Sequence, residues 1–295
     1  MKTPIFTGSG VAICTPFCKD GIDLPKLGEL IDFQIENGTA AIIVCGTTGE
    51  SSTQTIDEHI SVVDFAVKHA AGRIKIIAGT GSNDTQTAVH TSRAAEKAGV
   101  DGLLLVTPYY NRVTQKGLIK HYNYIADRVN LPIILYNVPS RTTVNIEAET
   151  YKALSAHPNI IGTKEASGDF SLFAMTKILC DDDFYFWSGN DDNTVPMMAL
   201  GACGLISVAA NIIPRTVADM CAAALAGDFE KAAAIQLKYG KLFSTLFIEV
   251  NPTPVKAALN LMGKNVGSPR LPLCDMEPEH LAKLKAVLSE CGVIG

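Results

Sequence analysis

The sequence predicts an α/β fold, a closed (β/α)8 TIM barrel with a C-terminal helical extension, and three observations carry that expectation. Short runs rich in Val, Ile and Leu recur eight times, each followed by polar residues and a stretch with helical periodicity. The runs start 20 to 35 residues apart, close to the length of one strand, helix and return. They lack hydrophobic/polar alternation, as expected of strands buried on both faces of a parallel sheet.

In chain order the runs are VAICT from Val11, AAIIVC from Ala40, KIIAGT from Lys75, GLLLVT from Gly102, PIILYN from Pro132, IIGTKE from Ile160, FYFWSG from Phe184 and GLISVA from Gly204. Helix signals fall between them: the capping box Thr55-x-x-Glu58, Asp84 before TQTAVHTSRAAEKAG, and Gly99 just past that helix. An open doubly wound sheet is the alternative, but no G-x-G-x-x-G follows the first run to mark a dinucleotide site. Residues 193 to 214 carry no charge, yet Pro196, Gly201, Gly204, Ser207, Asn211 and Pro214 divide them into a buried helix and a buried strand rather than a membrane span. The strand pattern stops after Ala226, and helical stretches follow around Phe229 to Ile248, Pro254 to Met262 and Pro278 to Glu290. Residues 1–226 are therefore expected to form the barrel catalytic domain and 227–295 a C-terminal helical region.

A chain of 295 residues suits one barrel of roughly 200 to 250 residues with an appendage. With 47% hydrophobic and 19% charged residues there is ample core material and too little charge for disorder. The net charge of -5, with no basic cluster, argues against a nucleic-acid partner. The N-terminal MKTPIFTGSGVAICTPF lacks the apolar stretch of a secretory signal, so a cytoplasmic location is expected, with no membrane partner. Of eight cysteines without a C-x-x-C pair, most are expected as reduced core residues.

Barrel chemistry occurs at the C-terminal strand ends. There the sequence places Thr47, Thr48 and Glu50; Asn83; Tyr109 and Tyr110; Tyr136, Asn137 and Arg141; Lys164 and Glu165; Ser188 and Asn190; and Ser207. None is a histidine, and no cluster has ligand spacing, so neither a metal nor another cofactor is expected. What remains is one lysine, Lys164, at the end of an apolar strand and surrounded by hydroxyls. A neutral amine there can attack a carbonyl and form a Schiff base, making the α-carbon of the substrate nucleophilic through an enamine. The alternative is that Lys164 only pairs with Glu165 or another carboxylate. Tyr136 is either a proton shuttle or a packing aromatic. GTTGE at 46 to 50 is either a cradle of N–H groups and hydroxyls for a carboxylate or a tight glycine turn, with Glu50 read as an anchor rather than an acid.

Together GTTGE at 46 to 50, TPYYN at 107 to 111, YNVPSRT at 136 to 142, GTKEASGD at 162 to 169 and SGND at 188 to 191 resemble the dihydrodipicolinate synthase family, over essentially the whole chain. The family sits among the pyruvate-dependent class I aldolases and lyases. The resemblance implies that Lys164 forms the pyruvate imine, that Tyr136 donates and accepts protons, and that Thr47 and Tyr110 complete a hydroxyl relay. It implies pyruvate contacts from Thr48 and Ile206, a substrate contact at Gly189, and condensation with aspartate 4-semialdehyde in the diaminopimelate route to lysine. Arg141, with its planar fork, fits the carboxylate of that second substrate. Tyr110 is expected from a neighbouring subunit, in a tight dimer doubled into a tetramer.

The resemblance also implies an effector site for lysine, with Ser51, His59, Asn83 and Tyr109 in agreement. Ile56 and Thr87 depart from it, standing where sensitive members have a histidine and a glutamate, so feedback is expected to be weak. The other readings are an aldolase or lyase for a 2-keto sugar acid, a non-catalytic paralogue that binds a keto acid, and a glycosidase using Glu50 and Glu165.

Overall fold

A computed structural model describes all 295 residues. The eight barrel strands are β1 (Gly8–Ala12), β2 (Ala41–Val44), β3 (Lys75–Gly79), β4 (Gly102–Val106), β5 (Ile133–Asn137), β6 (Ile160–Glu165), β7 (Tyr185–Ser188) and β8 (Gly204–Ser207). Each pairs in parallel with its sequence neighbours, and β8 returns to β1 with Val11 opposite Ser207, so the sheet is closed rather than open.

Along the strands, side chains alternate between two apolar layers. Ala12, Ile43, Ile77, Leu104, Ile134 and Ile206 fill the barrel interior with Trp187 and Phe6. Val11, Ile42, Ile76, Leu103 and Leu135 face the surrounding helices. Both sets are hydrophobic, which is why the sequence shows continuous runs instead of alternation.

The helices are α1 (Leu24–Glu36), α2 (Ile56–Ala70), α3 (Thr85–Ala98), α4 (Gln115–Ala126), the single turn α5 (Pro139–Thr142), α6 (Ala148–Ser155), α7 (Phe170–Leu179), α8 (Thr194–Ala199) and α9 (Pro214–Leu225). The Thr55–Glu58 capping box is formed reciprocally at α2, Asp84 caps α3 through the Thr87 N–H, and Gly99 closes α3 at φ +90°. Beyond α9 come α10 (Phe229–Thr245), α11 (Thr253–Leu261) and α12 (Pro278–Glu290). Leu242, Phe243, Val255, Leu259 and Leu284 from these helices join the same apolar cluster as the outer faces of the barrel strands. Between Thr194 and Pro214 the uncharged segment is α8 followed by β8, and no helix is long and apolar enough to cross a membrane.

Two local features differ from the sequence expectation. The first strand begins at Gly8 rather than Val11 and ends at Ala12. Gly8-Ser9-Gly10 carries no apolar signal because the interior there is filled from elsewhere: a Cβ on Gly10 would lie 2.7 Å from the Phe6 ring. A two-stranded hairpin, Phe17–Cys18 with Gly21–Ile22, also follows β1, too short to show any period.

A third feature decides the chemistry. Ile133 pairs with Ile160 but Ile134 pairs with Gly162, so β6 carries one extra residue at Ile161. Strict alternation from the inward-facing Ile161 would turn Lys164 outward and Glu165 inward. The bulge reverses this and sets Lys164 beside Tyr136, its register partner. Only glycine fits at 162, where a Cβ would meet the Tyr185 carbonyl oxygen at 2.1 Å.

Candidate active site

At the C-terminal end of the barrel the strands open onto a cavity of about 510 Å³ whose walls include Thr47, Thr48, Tyr136, Arg141, Lys164 and Gly189. Lys164 is 4% exposed, and its Nζ lies 4.3 Å from the centre of the Tyr136 ring. It enters no ion pair. Glu165 instead faces outward, accepting from the Tyr151 hydroxyl at 2.8 Å, from Asn137 Nδ2 at 3.1 Å and from the Ser167 N–H at 2.8 Å. Burial pushes the Glu165 carboxyl up from the usual carboxylate range, against the pull of these donors. The alternative that Lys164 is merely the partner of Glu165 is thereby removed.

The loop after β2 is held open from behind. Glu50 and Cys45 both adopt positive φ, at 56° and 53°. Glu50 Oε1 accepts from Lys256 Nζ at 2.8 Å, both side chains being 1% exposed, and Oε2 accepts from the Arg270 N–H at 2.8 Å. Lys256 donates further to the carbonyls of Thr15 and Ser268. Removing one member of such a pair typically costs about 3 to 5 kcal/mol, because the other charge is left buried alone. Gly49 presents its carbonyl to Thr15 Oγ1 and Gln54 Nε2, both at 2.7 Å. Glu50 is thus committed to the frame, and the Thr48 backbone N–H has no partner within the chain. The Thr48 hydroxyl accepts from Asn251 Nδ2 at 2.9 Å, which leaves its proton to donate into the cavity.

Arg141 projects from α5, exposed at the cavity rim, and Nη2 donates to the Asn251 carbonyl at 3.1 Å. At the far wall, Asp191 is fully buried; it accepts from the Ser207 hydroxyl and from the N–H groups of Val208 and Ala209, fixing the turn after β8. Burial pushes its carboxyl up.

Lys164, Tyr136, Thr47, Thr48, Arg141 and Gly189 therefore share one cavity. Ile206 is fully buried in the interior layer beneath it, and Val208, two residues on, lines the wall. Tyr110 is 90% exposed at φ +76° and does not reach the cavity within one chain. Ser51, Ile56, His59, Thr87 and Tyr109 line a second cavity of about 380 Å³, which shares Thr47 and Arg141 with the first. Asn83 lies in a neighbouring depression with Asn111 and Tyr124. No group of three or more His, Cys, Asp or Glu is arranged to hold a metal ion.

Asn251, Lys256, Phe247 and Val250 were not singled out from the sequence, yet Phe247, Val250 and Asn251 line the Lys164 cavity. Lys256 left one trace, as the lone charge in the apolar helix TPVKAALNL. Nothing local identified its partner, which is more than 200 residues away.

The model of the Dihydrodipicolinate synthetase family matches residues 5–291. The chain belongs to that family. It is 53% identical over 292 residues to the 4-hydroxy-tetrahydrodipicolinate synthase of Thermoanaerobacter sp. (strain X514), covering 99% of this chain and 98% of the relative. The crystal structure of dihydrodipicolinate synthase from Aquifex aeolicus superposes with a TM-score of 0.96 at 48% identity, over 98% of this chain and 99% of that one. The chloride-inhibited dihydrodipicolinate synthase from Acinetobacter baumannii, solved with pyruvate, gives 0.95 at 43% identity over 98% and 99%. Dihydrodipicolinate synthetase family membership accords with a barrel whose one unpaired strand-end lysine opens into a hydroxyl-lined cavity.

Proposed function

We propose that the chain catalyses the 4-hydroxy-tetrahydrodipicolinate synthase reaction, a Schiff-base lyase chemistry that condenses pyruvate with L-aspartate 4-semialdehyde. The observation that carries it is the buried, unpaired amine of Lys164 beside Tyr136 and Thr48, with Arg141 at the rim. Lys164 Nζ adds to the pyruvate carbonyl, and water leaves with a proton supplied through the Tyr136 hydroxyl. The Thr48 hydroxyl and N–H hold the pyruvate carboxylate. Loss of a methyl proton gives the enamine, whose carbon attacks the aldehyde of the second substrate. The α-amine of that substrate then adds to the iminium carbon and expels the Lys164 amine, closing the ring. Ile206 supports the pyruvate site from below, and Gly189 keeps the wall clear, since a Cβ there would lie 2.5 Å from the Ala166 Cβ.

The exposed, left-handed Tyr110 fits a role across a tight dimer, where it joins Thr47 in the proton relay, with two dimers forming a homotetramer. The protein is proposed to work in the cytoplasm, without a cofactor. The test is a coupled assay with pyruvate and aspartate semialdehyde beside pyruvate and N-acetylmannosamine. Turnover confined to the first pair is expected, whereas turnover of the sugar would move the protein to the sugar-acid aldolases. Borohydride added after pyruvate should leave a stable adduct on Lys164 and on no other lysine.

The second cavity is read as a degenerate lysine-effector site. Ser51, His59 and Tyr109 are present with Asn83 adjacent, but no carboxylate lines the cavity to meet an ammonium. Glu50 is held by Lys256, and the Thr87 hydroxyl already donates to Asp84 at 2.6 Å. Millimolar-scale L-lysine should therefore inhibit little, and Thr87→Glu combined with Ile56→His should install inhibition. A titration of lysine at fixed substrates that shows a strong partial plateau in the unmodified protein would overturn this reading.

A further inference from the structure

Five carboxylate or ammonium side chains are buried: Glu50, Lys164, Glu165, Asp191 and Lys256. Glu50 and Lys256 pair, and Glu165 turns outward onto Tyr151, Asn137 and Ser167. Lys164 and Asp191 remain, a cation and an anion that form no ion pair, and the condensation uses only the first. Their placement relates them. Lys164 lies opposite Trp187 and Glu165 opposite Ser188, and the Gly189 N–H donates to the Glu165 carbonyl at 2.8 Å. Asp191 follows two residues later and is 2% exposed. It does not line the Lys164 cavity; its carboxylate accepts from the N–H of Val208, which does, and from the Ala209 N–H and the Ser207 hydroxyl. Burial pushes that carboxyl up, while these donors and the Lys164 ammonium pull it down.

A fixed charge acts through a low-dielectric interior without touching the ligand. Charge balance decides which step feels it. When the neutral amine of Lys164 meets pyruvate, the C=N bond forms, the carbonyl oxygen leaves as water, and one proton is taken up and stays as an iminium. That step creates a cation, which a neighbouring anion favours. When the ammonium is the starting form, the same bonds form and break, but the positive charge only passes from ammonium to iminium. The anion then acts equally on both sides and cancels.

We propose that Asp191 is a positioning residue for the Schiff base: it fixes the turn after β8 and supplies the negative charge that balances the iminium on Lys164. The inference rests on the condensation proposed above.

The test titrates the whole protein with pyruvate by calorimetry from mildly acid to alkaline pH, with borohydride trapping to confirm that the ligand is carried on Lys164. Asp191→Asn can accept both N–H bonds on Oδ1 and donate to Ser207, so it removes chiefly the charge. Its affinity for pyruvate should fall about 10-fold at the alkaline end, the factor a buried opposite charge supports, and hold at the acid end. Ser207→Ala removes one anchor of the turn and keeps the charge, so any loss should be equal at both ends. The Tyr136 hydroxyl on β5, Glu165 beside Lys164, Arg141 at the rim and the Cys221 thiol on α9 are the same in all three proteins and drop out of the comparison.

A loss of equal size at both ends in Asp191→Asn would leave Asp191 a structural anchor and overturn the proposal, as would no loss at either end. So would a Ser207→Ala loss confined to alkaline pH, because it would trace the pH dependence to the turn. Should Asp191→Asn fail to fold, the unmodified protein labelled with carbon-13 at its aspartate carboxyls decides, since Glu165 is then silent in the infrared. Pyruvate added at alkaline pH should shift the carboxylate band of a buried aspartate, and an unmoved band overturns the proposal. Absence of pyruvate on Lys164 in the unmodified protein would instead sink the condensation itself, so the two failures are distinguishable.

Discussion

Lys164→Arg should abolish condensation, with kcat/KM falling by roughly 10⁴-fold or more, the scale of loss when a covalent nucleophile is removed from cooperating groups. Arginine keeps a cation at the same strand position but stays protonated at working pH, so no imine forms. It also brings a larger planar head into a cavity with no carboxylate to receive it. Lys164→Ala is the companion: Lys164 enters no ion pair, and the buried Asp191, on which its charge acts, keeps the Ser207 hydroxyl and the Val208 and Ala209 N–H groups as direct partners, so the barrel should remain folded by circular dichroism. Both variants should show no borohydride-trapped pyruvate at any lysine. Turnover in either at more than about one part in a thousand would show that the carbonyl is activated by some other group.

The barrel was legible because its signals are local and repeated. Eight apolar runs appear where eight strands form, and the capping residues Thr55, Asp84 and Gly99 act where they stand in the sequence. Legibility failed where one part of the chain leans on a distant one. Gly8-Ser9-Gly10 is a strand because β8 pairs with it and Phe6 covers it, and no glycine-serine triplet announces that. The extra residue in β6 is likewise invisible in IIGTKE, since a bulge is defined only against the partner strand, here β5. Lys164 was found from its residue type and position, but its inward aim depends on that bulge.

The C-terminal helices were read as an appendage, yet they carry much of the frame of the site. Lys256 from α11 holds Glu50, Asn251 joins Thr48 to Arg141, and Arg270 grips Glu58 at the start of α2 with a contact of 2.6 Å. The Arg270 guanidinium holds the Glu58 carboxyl low, at about 2. These links run between residues 110 to 212 positions apart, a distance across which the residue pattern of one sequence specifies no pairing.

Arg141→Ala should leave pyruvate chemistry intact and weaken only the second substrate. The side chain sits at the rim rather than among the interior groups, so trapping of pyruvate on Lys164 should proceed at the unmodified rate. The carboxylate of aspartate semialdehyde loses its only arginine, since no other arginine or free lysine besides Lys164 lines this cavity. Loss of such a pair costs about 2 to 5 kcal/mol when the partner is left buried. Because Arg141 is exposed, the lower end applies, which corresponds to a rise in KM of about 30-fold. Arg141→Lys should recover part of this, as an ammonium supplies charge without the two parallel donors. Steady-state measurements at saturating pyruvate separate the possibilities: an unchanged KM for the semialdehyde would remove Arg141 from the binding site. An equal loss of pyruvate trapping would instead assign it to the frame that Asn251 and Thr48 share.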